Sequence, residues 1–138
     1  MTHQWPRLEY LDWRDTCSAL HLYLQVAGKY RIAHAPWINH SWHATFHVTP
    51  RGLASSPIPD GPGIEILFDL RDHKVVGTSG NGRSASIELG PTSVARFHAD
   101  FVRLVADLGG TPKEILENRE ALVESLRIKI SIIGCGGG

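Results

Sequence analysis

Cys17, His21, Gln25 and Lys29 recur every four residues. On a helix that spacing makes one slowly drifting polar stripe along a single side. Further on, His43, Thr45, His47 and Thr49 take alternate positions, which is one face of a strand. Asn39 and His40 stand just before them; Arg51, Ser55 and Ser56 stand just after. If the stripe meets the polar strand face, the two line a cleft with imidazoles, an amide, a lysine and an arginine. A few convergent polar groups beside apolar walls are the usual make-up of a small-molecule pocket. Lys29 and Arg51 would favour an anionic ligand. Imidazole titrates near neutral pH, so His21 and His43 are the candidates for general acid–base catalysis. Gln25, Lys29, Asn39, His40, Thr49 and Arg51 are the candidates for holding the ligand.

Other chemistries fit the same residues less well. A polar helix stripe and a polar sheet face can simply be solvated. Residue choice argues for the pocket, because a solvated face is commonly Lys, Glu and Arg. This one is His, Gln, Thr and Cys, and no acid occurs between positions 16 and 60. Zinc would need His40, His43 and a third ligand converging on the ion. His43 and His47 lie roughly 13 Å apart along a strand at 3.3 Å per residue, and no HExxH or CxxC is present, so no metal is expected. Cys17 sits one helical turn from His21 and near a helix start, a setting that can activate a thiol; a buried, inert Cys is the simpler reading. No G-x-S-x-G motif and no P-loop appear. The run Ile128, Ile130, Ile132, Gly134, Gly136 resembles the opening of a dinucleotide-binding unit. The helix that would receive a pyrophosphate does not follow it, so no cofactor is expected.

The elements that must position these groups can be read from periodicity. Asp12 or Asp15 can cap a helix that runs to about Ala33 and ends before Pro36. Residues 34–41 read as a loop. Residues 42–49 alternate, with Trp42, Ala44, Phe46 and Val48 inward, and read as a strand. Residues 50–63, rich in Pro, Gly and Ser, read as loop. Residues 64–70 alternate with Ile64, Ile66, Phe68 and Leu70 inward. A turn at Arg71-Asp72 leads to a strand at 74–78. Gly80-Asn81-Gly82 is a hairpin turn, and 83–89 is a fourth strand with Ala85, Ile87 and Leu89 inward. A second helix opens at Pro91-Thr92-Ser93, buries Phe97, Phe101, Leu104, Val105 and Leu108, and stops at Gly109. Thr111-Pro112-Lys113-Glu114 is a capping box that opens a third helix to about Leu126. Residues 128–132 suggest a last strand.

The expected fold class is therefore α+β: a four-stranded antiparallel meander packed by a long N-terminal helix and one or two C-terminal helices, with a further strand near the C-terminus. Residues 1–110 form one domain, 111–133 a helix-and-strand extension, and 134–138 a glycine-rich tail. The 138 residues suffice for a core without disulfides or metal. Lys plus Arg equals Asp plus Glu at 14 each, so there is no general attraction to nucleic acid or to anionic lipid. Two cysteines, Cys17 and Cys135, make no disulfide framework, which points to a cytoplasmic setting. The opening MTHQWPRLEY has no apolar run behind a basic flank, so no signal peptide is expected. No run approaches the roughly 20 apolar residues of a membrane span. The expected partners are a small-molecule ligand and a second copy of the chain, brought together by Trp5, Trp13, Trp37, Trp42 and the last strand.

Trp5-Pro6, Trp13, Asp15-Thr16, Leu20-His21-Leu22, Gln25 and Gly28-Lys29 recur as a pattern, followed by Arg31, Pro36, Asn39-His40, Trp42-His43 and Val48-Thr49. Arg51-Gly52-Leu53, Ser56-Pro57-Ile58-Pro59, Phe68-Asp69, Pro91 and Ser93-Val94-Ala95 continue it. In these residues, up to Gly110, the chain resembles a bacterial family catalogued as domain of unknown function 5996. The resemblance brings no reaction with it. It does imply that His21, Gln25, Lys29, Asn39, His40, His43, Thr49 and Arg51 belong to the family's pattern. Family members continue after the second helix into a further half of comparable size, which 111–138 does not resemble. If that half completes the site or the core, a second copy would have to do so here.

Overall fold

The computed structural model describes residues 5–112. The body of the third helix, the last strand, Cys135 and the glycine tail lie outside the described residues.

The first helix, α1, spans Tyr10–His34. Its sequence holds no proline and only one glycine, Gly28, and ends at Ala35 just before Pro36. Asp12 in the first turn and Arg31 and His34 in the last complement the helix dipole. Neither Asp12 nor Asp15 is the cap. The helix starts earlier, behind Glu9, which makes no side-chain capping bond. Tyr23, Val26, Ala27 and Tyr30 are buried at helical spacing and face the core.

The segment 42–49 is not one strand. A 3₁₀ helix occupies Asn39–Ala44, and only His47–Thr49 is extended, as β1. The alternation of Trp42, Ala44, Phe46 and Val48 therefore does not mark an inward face. Val48 is 86% exposed, whereas His43, expected on the outer face, is buried. The positive φ of His40 (57°) bends the chain into the 3₁₀ helix.

The segment 50–63 is not all loop. Gly52–Ala54 forms β2 and pairs with both β1 and β3, Ile64–Asp69. Three residues are too few for periodicity to register. At Gly52, φ is +152°, and a Cβ there would overlap the carbonyl of Phe68, so only glycine fits this pairing. β4 (Lys74–Ser79) and β5 (Ser84–Glu88) complete a five-stranded antiparallel sheet in the order β1-β2-β3-β4-β5. The meander stands with one strand more than the four expected. The β4–β5 hairpin turns through Gly82 (φ 87°), with Asn81 Oδ1 accepting from the Arg83 N–H at 3.2 Å. Leu70 lies past the end of β3, exposed and not inward.

α2 spans Val94–Asp107 and is capped by Ser93, whose hydroxyl oxygen accepts from the Arg96 N–H at 3.1 Å. Phe97, Phe101, Leu104 and Val105 form its buried face, and Gly109 at φ 88° ends it. Both helices pack on one face of the sheet. Tyr23 stacks on Phe97 at 4.3 Å between centroids, and Ile64, Ile66, Phe68 and Val75 close the core from below. No helix among the described residues is long and apolar enough to cross a membrane.

Candidate functional site

His21, Gln25 and Lys29 lie half-buried on α1. At 100° per residue, Gln25 is about 200° around the helix from the core residue Tyr23, so the stripe runs along the side away from the core. Asn39 and His40 are exposed on the 3₁₀ helix, which packs against α1. His43 on the same element is buried. Its Nδ1 accepts from the Ile38 N–H at 3.2 Å, and its ring centroid lies 5.0 Å from that of Trp37. The 3₁₀ helix therefore gathers Asn39, His40 and His43 beside α1.

Thr49 and Arg51 belong to the β1–β2 turn. Thr49 Oγ1 accepts from the backbone N–H of Arg51 and of Gly52, at 3.3 and 3.2 Å, and donates to the Gly52 carbonyl. Arg51 spans to Asp69 (Nε to Oδ2, 2.8 Å) and Asp72 (Nη2 to Oδ2, 2.6 Å). The N–H of Asp72 and the Arg51 guanidinium hold the buried Asp69 carboxyl below its usual range, against the opposing effect of burial. Arg51 thus has two carboxylate partners of its own.

Two buried polar centres at the C-terminal end of α1 were not singled out by spacing. The first is Asp60. Tyr30 donates its hydroxyl to Asp60 Oδ2 at 2.5 Å. The backbone N–H of Thr111 donates to the same oxygen at 2.7 Å, and the Thr111 hydroxyl donates to Oδ1 at 2.5 Å. His34 Nε2 lies 3.6 Å from Oδ2, while its Nδ1 donates to the Tyr30 carbonyl at 3.0 Å. Burial pushes the Asp60 carboxyl up, but the Thr111 and Tyr30 hydrogen bonds and the nearby His34 outweigh it and hold the group below its ordinary value. The Tyr30 phenol is pushed far up, first by burial and then by Asp60. The backbone of Gly110 passes so close that a Cβ there would stand 2.6 Å from Asp60 Oδ2.

The second centre is Arg31, next to Tyr30 in sequence and 4% exposed. Its Nη2 donates to the Ser56 hydroxyl. Its Nη1 is buried without a hydrogen-bond partner, and no carboxylate pairs with it among the described residues. Burial alone lowers its pKa. One sequence signal could have found it. In the acid-free stretch before Asp60, the only cations are Lys29, Arg31 and Arg51, and only Arg31 lies beside the core positions of α1.

Cys17 is a half-buried free thiol. No three His, Cys, Asp or Glu side chains among the described residues are grouped to hold a metal ion.

One family model, described as Family of unknown function (DUF5996), matches residues 5–124. The match runs past Gly110, where the resemblance read from the motifs stopped. No curated protein and no solved structure matches the chain.

Proposed function

We propose that this chain, which belongs to the DUF5996 family, binds a small anionic molecule where α1 meets the 3₁₀ helix and the segment after β2. The observation that carries this reading is the buried guanidinium of Arg31, whose Nη1 has no hydrogen-bond partner and which meets no carboxylate among the described residues. Arginine stays charged under all ordinary conditions. Taking such an ion out of water costs several kcal/mol unless a counter-charge and hydrogen bonds replace the water. Ser56 offers one neutral oxygen, which among the described residues leaves both the charge and Nη1 uncompensated. A carboxylate or phosphate supplies both needs, because its oxygens match the guanidinium fork. In this reading Asn39, His40 and His43, on the element that packs against α1, flank the Arg31 site, while Gln25 and Lys29 face another side of α1. Arg51 contributes to the hairpin instead.

Thermal unfolding of the full chain, titrated with inorganic phosphate, sulfate, acetate and succinate at constant ionic strength, tests this. At least one of these anions is expected to raise the midpoint saturably, as mass action requires of a ligand of the native state. If every anion does no more than potassium chloride, the reading fails.

A second reading, a non-enzymatic homodimer, is favoured by exposed large apolar side chains. Trp37 and Trp42 are 71% and 64% exposed, with Val48 and Trp5 also open. Covering such side chains is a common driving force for association. Light scattering at high concentration is expected to give about twice 15.2 kDa for the dimer. A clean monomer would sink this reading and leave the first untouched.

A further inference from the structure

A cavity of about 540 Å³ opens at the other end of α1 from Arg31. Its walls come from the first turns of α1, the β3–β4 turn and the β5–α2 connection. Ala19 and Leu20 of α1, with Leu70, Leu89 and Pro91, form its apolar walls. Its volume is in the range of pockets that hold small organic molecules. The cavity is built on ordered ties. The Leu89 N–H donates to the His73 carbonyl at 2.8 Å, which fixes the turn against the end of β5. The Tyr23 hydroxyl lies against the carbonyls of Thr92 and Gly90, at 2.8 and 3.3 Å, so it secures the wall and is not free to point inward.

The charge at the cavity excludes the ligand proposed for Arg31. No Lys or Arg lines it among the described residues; Asp15 is its carboxylate and His73 its one imidazole. Among the described residues Asp15 pairs only with its neighbour Arg14, at 3.0 Å, and both side chains are largely in water. Such an exposed pair contributes little and is readily exchanged for another cation. We infer that this cavity is a second binding site, for a small apolar amine: a single ring or short alkyl chain against Ala19, Leu20, Leu89 and Pro91, with its ammonium at Asp15. Burial of the apolar part supplies most of the binding, and the ion pair fixes the orientation.

Amide NMR of the full chain, titrated with phenethylamine, 2-phenylethanol and 3-phenylpropionate, tests the inference. The amine is expected to shift Leu20 and Leu89 saturably and to bind about fivefold more tightly than the alcohol, the effect of one exposed ion pair. Asp15→Asn should bring the amine down to the alcohol's affinity while leaving the alcohol unchanged. Gly90 has open space where a side chain would begin and no positive φ. Gly90→Leu should therefore fold and block the amine and the alcohol alike. Absence of saturable shifts with all three probes overturns the site. Equal binding of amine, alcohol and acid, or an unaltered amine affinity in Asp15→Asn, overturns the ligand class. Phosphate shifting residues near Arg31 bears only on the anion reading.

Discussion

Asp60→Ala is expected to lose on the order of 3–5 kcal/mol of stability in urea unfolding. The substitution strands the Tyr30 hydroxyl and both donors of Thr111, and a buried donor without a partner costs about 1–3 kcal/mol. Asp60→Asn keeps the volume and one good acceptor, so its loss should fall between alanine and wild type. The pH dependence has a definite sign. The folded-state pKa of Asp60 lies below its ordinary value. The stabilisation is therefore present above the unfolded pKa of about 3.9 and is lost as pH falls through the lower folded value. Asp60→Asn should flatten that acid limb. A Tyr30 pKa raised by burial works at the other extreme, withdrawing stability as pH climbs above about 10, where only the unfolded phenol ionises. An Asp60→Ala protein as stable as wild type would show that the clasp is solvated in solution.

Arg31→Met should do the opposite and stabilise the free protein by about 1–3 kcal/mol. Replacing an uncompensated buried charge with an apolar side chain of similar length removes a desolvation cost. The half-buried Ser56 hydroxyl loses one partner, a smaller effect that water can offset. The same variant should lose all anion-dependent stabilisation. That pairing, more stable but unresponsive, is the signature of a charge kept for a ligand. Arg31→Lys keeps the charge but not the fork, and should respond weakly to anions. If Arg31→Met instead loses several kcal/mol with no anion present, the guanidinium is a structural strut and the proposed function falls.

The legible parts of the fold were those with enough residues to show a period. α1, the β3–β4–β5 meander and α2 each carry four or more apolar positions at the right spacing, and the structure has them within a few residues. The errors fell where short range and tertiary context disagree. The alternation across 42–49 was a coincidence of residue order, overridden by the docking of His43 and Ala44. β2 has three residues, too few to show an alternation, and is held by pairing with β1 and β3 on both sides. For the candidate site, spacing drew attention to one side of α1, whereas the buried polar groups Tyr30 and Arg31 lie on another. A four-residue repeat attracts the eye because it is periodic. Arg31 and Asp60 are single residues whose meaning comes from burial and from partners 25 and 51 positions away, which no local pattern encodes.

Every strand in the sheet lies beside its sequence neighbour. No strand has to wait for a distant partner, so the sheet can assemble through short loop closures. The long closures are those of α1 and of the Asp60 clasp: Tyr23 reaches 69 residues on to Thr92, and Asp60 spans 30 residues back to Tyr30 and 51 forward to Thr111. The kinetic consequence is a division of labour: the hairpins need only short closures, whereas docking α1 on α2 and closing the Asp60 clasp need long ones.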